Sequence, residues 1–97
     1  MKRNGITDTA YHARIHGRVQ GVGFRYSART AAHKLGLTGW VRNVSDGSVE
    51  IVCEGEVNAV EQYILWLGKG PSGSRVSSVD TREIPHTGSF KSFTVEF

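Results

Sequence analysis

The sequence has a single cysteine, Cys53, among its 97 residues. No internal disulfide can form, and no multi-cysteine zinc or iron–sulfur site can be built. Apolar runs are only a few residues long, too short to span a bilayer. The opening Met-Lys-Arg-Asn-Gly-Ile-Thr-Asp lacks the apolar stretch of a secretory signal. Acidic residues are scarce where basic ones gather. Residues 1–48 carry eight Lys/Arg against two acids, whereas residues 49–97 carry four Lys/Arg against seven acids. One half of the chain can therefore offer a basic surface to an anionic partner. A hydrophobic content of 38% with 22% charged residues excludes a disordered chain. The length leaves room for one core. The expectation is one cytoplasmic domain over residues 10–97, preceded by a flexible tail at residues 1–9.

The pattern along the chain changes period several times. Tyr11–His16 alternates, with Tyr11, Ala13 and Ile15 on one face and His12, Arg14 and His16 on the other, as in a half-buried strand. Phe24, Ala28, Ala31, Ala32 and Leu35 then form a helical stripe, with Lys34 and Gly36 as stop signals. Thr38–Asn43 and Ser48–Glu54 flank the turn residues Ser45-Asp-Gly47 and read as a hairpin. In its second strand Val49, Ile51 and Cys53 should face inward, and Glu50 and Glu54 should face water. A second helix follows Gly55, with Glu56 in its first turn, a stripe of Val57, Val60, Ile64 and Leu67, and a stop at Gly68-Lys-Gly-Pro71. Arg75–Ile84 reads as a weaker strand, and Phe93, Val95 and Phe97 alternate in a closing one. The order βαββαβ, with the last strand region open to extension or splitting, predicts an α+β ferredoxin-like sandwich, two helices on one face of a mainly antiparallel sheet. In that arrangement the second strand lies at an edge.

The first strand-to-helix junction, Gly17-Arg-Val-Gln-Gly-Val-Gly-Phe-Arg25, is the most informative segment. A glycine-rich turn entering a helix collects unpaired N–H groups and the positive end of the helix dipole at one point, a geometry suited to a phosphate-like anion. Arg25 falls in the first helical turn. A cation there is unfavourable unless an anion satisfies both. The segment is neither a P-loop nor a dinucleotide fingerprint. Elsewhere, His12 and His16 read as solvated, His33 as favourable near a helix C-terminus, and His86 as a loop residue without a partner. Cys53 reads as packed rather than nucleophilic. Trp40 covers either the site or the sheet.

The junction resembles the first signature of the acylphosphatase family. Gly39-Trp-Val-Arg-Asn43 with Asp46-Gly-Ser-Val49 resembles the second, and Lys69-Gly-Pro71 and Phe93-x-Val95 also look like that family. The resemblance covers residues 11–97. It implies a metal-independent hydrolase that splits the carboxyl–phosphate bond of small acyl phosphates by water attack, giving carboxylate and orthophosphate. It places the catalytic arginine on Arg25 and the water-positioning asparagine on Asn43. The phosphoryl-binding amides fall around Gln20, Gly21, Val22, Gly23 and Phe24. An inorganic phosphate or sulfate-like anion would occupy the same loop. No cofactor, metal, nucleic acid or membrane is expected, and the chain is expected to act as a monomer.

The chemistry suits those residues. A carboxylate leaving group is weakly basic and needs no general acid, so transfer requires mainly charge stabilisation and an aligned nucleophile. Arg25 supplies fixed bidentate charge, and Asn43 can accept from a water and donate to the phosphoryl group. The rival is an RNA-binding module, because Gly21-Val-Gly-Phe-Arg-Tyr26 faintly resembles an aromatic RNA-contacting segment. Such aromatics lie in mid-strand on an open sheet face, whereas Phe24 belongs to a buried helical stripe.

Overall fold

Alternation carries the chain through its first strand, β1 (Asp8–Arg18), in the computed structural model, which describes residues 8–97. Residues 1–7 of the expected tail lie outside the described residues. Its last two, Asp8 and Thr9, belong to β1, and Thr9 is buried. Six further elements follow: α1 (Phe24–Lys34), β2 (Thr38–Asn43), β3 (Val49–Glu56), α2 (Val57–Lys69), β4 (Arg75–Ile84) and β5 (Phe93–Val95). They form one five-stranded sheet in the order β4-β1-β3-β2-β5. All neighbours are antiparallel except β2 and β5, which run parallel with Gly39, Trp40 and Val41 beside Phe93, Thr94 and Val95. The expected edge position of β2 is therefore corrected. The closing segment is long enough to add a strand outside it.

The ferredoxin-like α+β sandwich is otherwise as expected. Helix α1 packs on β2 and β5, and α2 packs on β1, β3 and β4. Ala13, Ile15, Val41, Val49, Ile51 and Cys53 from the sheet meet Phe24, Ala28 and Ala32 from α1 and Val60 and Leu67 from α2. Apolar area removed from water at these positions is the main source of stability. Helix α1 closes with Leu37 N–H donating to the Ala32 carbonyl and Gly36 N–H to that of His33, which satisfies its last carbonyls. Glu56 is the N-cap of α2 rather than a first-turn residue, and its carboxylate accepts from Ala59 N–H.

Two details of the packing depart from the pattern in the sequence. Tyr63 replaces Ile64 in the buried stripe of α2. Its hydroxyl donates to the Ala28 carbonyl of α1 at 2.9 Å, and its ring meets Phe93 edge-on at 5.8 Å between centroids. A tyrosine can be buried once its one polar atom has a partner.

The second departure concerns β3. Glu50 and Glu54 do not simply face water. Glu50 is half-buried between His12 and Arg42, at 2.7 and 2.8 Å. Glu54 is only 2% exposed, because the segment after β4 crosses over it. Its carboxylate accepts from the Thr87 amide, the Thr87 hydroxyl and the Gly88 amide at 2.9–3.0 Å. His86 approaches to 3.7 Å. Burial pushes the Glu54 carboxyl up, but these hydrogen bonds and His86 outweigh it and hold the group below its ordinary value.

A carboxylate held below its ordinary pKa stabilises the fold above that pKa, and the contribution fades as pH falls through the native value. Glu54→Gln is expected to destabilise the protein by about 1–3 kcal/mol near pH 7. In urea titrations the gap between the two proteins should narrow below about pH 4. A gap independent of pH would contradict the ionised clamp.

Candidate anion site at the start of helix α1

Between β1 and α1 the chain must reverse direction in five residues. Val19 anchors the turn in the core, while Gly21 and Gly23 take left-handed φ values of 78° and 76°. Glycine carries no Cβ penalty at those angles. Gly23 is the N-cap of α1, no side chain caps the helix, and no acidic residue lies in its first turn. The first helical bond runs from Ser27 N–H to the Gly23 carbonyl. The N–H groups of Phe24, Arg25 and Tyr26 consequently have no acceptor within the helix. Donors and dipole converge where an anion could sit.

A cavity of about 110 Å³ opens at that point. Val19, Gly21, Gly23, Phe24, Arg25, Tyr26 and Asn43 line it. Five of the seven expected site residues thus meet at one cavity: Gly21, Gly23, Phe24, Arg25 and Asn43. Val22 does not line it and packs partly buried against the core. Gln20 does not line it either. Its side-chain Nε2 donates to the Val44 carbonyl at 2.7 Å and to the Ser48 carbonyl at 2.9 Å, both in the β2–β3 turn.

Arg25 is held from a direction the sequence does not reveal. Its Nη1 donates to the Glu96 carbonyl at 3.1 Å, and its guanidinium lies 4.6 Å from the centre of the Phe97 ring. Glu96 reaches this position because its N–H continues the β5–β2 pairing by donating to the Val41 carbonyl. Asn43, the last residue of β2, is exposed at the cavity mouth. The Asp46 carboxylate accepts from the Ser48 amide and hydroxyl and lies 3.4 Å from Arg14, which braces the turn after Asn43. The two Ser48 hydrogen bonds, with Arg14 adding less, hold Asp46 below the usual carboxylate range.

Trp40 does not line the cavity; Arg42 lies 5.1 Å from its ring centre. His12 and His16 are not free in solvent, since they pair with Glu50 and Asp80. His33 hydrogen-bonds the Phe93 carbonyl, and His86 has Glu54 nearby. Cys53 is buried, and that burial pushes its thiol up to about 12, so no thiolate is available near neutral pH. Phe24 is 2% exposed and offers no stacking surface for a base. A larger groove of about 670 Å³ runs between α1 and α2, with Ala31, Leu35, Trp66 and Pro71 among its walls. It is largely apolar and gathers no comparable set of donors. Among the described residues no group of three or more His, Cys, Asp or Glu side chains is placed to hold a metal ion.

Comparison with known proteins follows the same lines. The family model described as Acylphosphatase matches residues 11–95. An acylphosphatase of Methylococcus capsulatus is 49% identical over 84 residues, covering 87% of this chain and 91% of the other. Among solved structures, an acylphosphatase from Coxiella burnetii superposes with a TM-score of 0.92 at 40% identity, covering 99% of this chain and all of its own. The Bacillus subtilis acylphosphatase gives 0.87 at 36% identity, covering 91% and 98%.

A Cβ at Gly21 or Gly23 would meet no heavy atom within 4 Å, so backbone strain at a left-handed φ and loss of open cavity space are the costs there. Gly21→Val and Gly23→Val are each expected to lower stability by about 1–3 kcal/mol. Inorganic phosphate is expected to raise the melting temperature of the unaltered protein by mass action, and that gain should be lost in both variants. Thermal unfolding with and without phosphate reads both effects. An undiminished phosphate shift in both variants would place the anion elsewhere.

Proposed function

The chain belongs to the acylphosphatase family and is an enzyme hydrolysing acyl phosphates; on that premise we propose that the cavity at the start of α1 carries out the reaction. The observation that carries the reading is the meeting of Arg25, Asn43 and the two left-handed glycines at one small cavity. The phosphoryl oxygens take the backbone amides around Gln20, Gly21, Val22, Gly23 and Phe24 together with the Arg25 guanidinium. An inorganic phosphate occupies the same seat as product and competitor.

Fixed donors aimed at the developing charge stabilise the transition state without having to reorganise. Arg25 is suited to this because its side chain is already steadied by the Glu96 carbonyl and the Phe97 ring. Asn43, neutral and able both to accept and to donate, orients the attacking water. Water adds to phosphorus as the bond to the carboxylate oxygen breaks, and the acyl group departs as carboxylate. With so weakly basic a leaving group no general acid is required. In this reading the cationic arginine and the amides neutralise the charge, and the reaction needs no metal ion. The chain works as a monomer in the cytoplasm on small acyl phosphates, without nucleic acid. Its one cysteine is free and buried, which suits a reducing compartment, and no helix among the described residues is long and apolar enough to cross a membrane.

The two side chains should separate kinetically. With benzoyl phosphate in EDTA, the unaltered protein is expected to turn over. Arg25→Ala should abolish turnover and weaken competitive inhibition by orthophosphate together. Asn43→Ala should lower kcat by roughly 10²–10³-fold, the loss typical of a removed transition-state hydrogen-bonding group, and leave phosphate inhibition nearly intact. Asn43→Asp should also be poor, because it sets a carboxylate against an anionic substrate. Normal phosphate inhibition in Arg25→Ala would contradict the role of that residue, and full activity in Asn43→Ala would remove the water-positioning step.

A further inference from the structure

The two proposed catalytic side chains stand on elements that do not pair with one another. Arg25 follows the loop after β1, and Asn43 ends β2. Strand β3 lies between those two strands. At ordinary strand spacing that separates β1 from β2 by about 9–10 Å. Main-chain pairing alone therefore does not set the distance from the anion seat to Asn43.

The Gln20 side chain spans that gap. Its amide nitrogen bonds the carbonyls of Val44 and Ser48, at 2.7 and 2.9 Å. Both partners are acceptors, so the two N–H groups of the amide nitrogen match them one to one, and the carboxamide has only one orientation that serves both. Val44 directly follows Asn43. We infer that Gln20 is a positioning residue which ties the anion loop to the β2–β3 turn and thereby sets Asn43 at its working distance from the phosphoryl group. The inference rests on the role proposed for Asn43. It gives the Gln20 side chain a task separate from the anion-binding role proposed for the backbone amides of the loop.

The tether can be cut without leaving buried groups orphaned. The Ser48 carbonyl also accepts from Val44 N–H, and the Val44 carbonyl also accepts from Gly47 N–H. The turn therefore keeps its own hydrogen bonds when Gln20 is replaced. Gln20→Met retains length and removes both donors. Gln20→Asn retains the amide but is one methylene short, and serves as a second variant should the first fold poorly.

The experiment compares the unaltered protein, Gln20→Met, Asn43→Ala and the double variant, using kcat for benzoyl phosphate and competitive inhibition by orthophosphate. Circular dichroism verifies each fold. Gln20→Met is expected to lower kcat by roughly ten- to a hundredfold, the scale of a positioning group displaced by about an ångström, while the inhibition constant stays within about threefold. In the Asn43→Ala background the same change should cost no more than about twofold, because the two residues act as one unit. An unchanged kcat in both Gln20 variants would overturn the inference. So would a parallel loss of phosphate affinity, which would make Gln20 part of the anion seat, or an equal loss in the Asn43→Ala background. Full activity of Asn43→Ala alone would instead overturn the role of Asn43, and this inference with it.

Discussion

Placing a guanidinium in the first turn of α1 sets positive charge against the positive end of the helix dipole, an arrangement that costs about 0.3–1 kcal/mol at an exposed site. The surrounding structure is arranged around this constraint. No side chain caps the helix, no acid enters its first turn, and left-handed glycines bring the backbone round so that its N–H groups and Arg25 border one cavity. The Glu96 carbonyl and the Phe97 ring partly offset the charge and steady the side chain. In the proposed function an anion seated there would satisfy the remainder and so link the local cost to substrate binding.

The architecture serves that arrangement from a distance. Strand β5 runs parallel to β2, so its C-terminal end arrives beside Arg25. The crossing segment before β5 is secured by the buried Glu54 carboxylate at the other end of the sheet. The turn that follows Asn43 is braced by Asp46 within itself and by Gln20 from the loop. Most of these contacts involve a backbone carbonyl or amide. They depend on where strands end rather than on which side chains stand there.

That distinction explains how much the sequence could reveal. Alternation along β1 and β3 and the helical spacing of Phe24, Ala28 and Ala32 mark the core directly, because period and burial are coupled. Arg25, Asn43, Gly21 and Gly23 sit in long motifs, and their meeting at one cavity agrees with the expectation that those motifs raise. The parallel pairing of β5 with β2 was not, since three residues carry too little pattern to name a partner. The holders of Arg25 were hidden for the same reason. Glu54 resembles any solvent-facing acid of an alternating strand until a loop covers it, and Tyr63 looks less apolar than Ile64 until its hydroxyl finds Ala28. Gln20 lay within a recognised motif, yet only the folded chain shows that its side chain turns towards the β2–β3 hairpin rather than the cavity.

The seat of the anion is the claim on which the rest stands, and an amide-resolved nuclear magnetic resonance titration with inorganic phosphate tests it most directly. Saturable shifts are expected at the amides of residues 20–26 and at the Asn43 side-chain amide, with the rest of the sheet little affected. Shifts gathered instead along the groove between α1 and α2, around Thr30, Lys34 and Gln62, or no saturable shift at all, would contradict it.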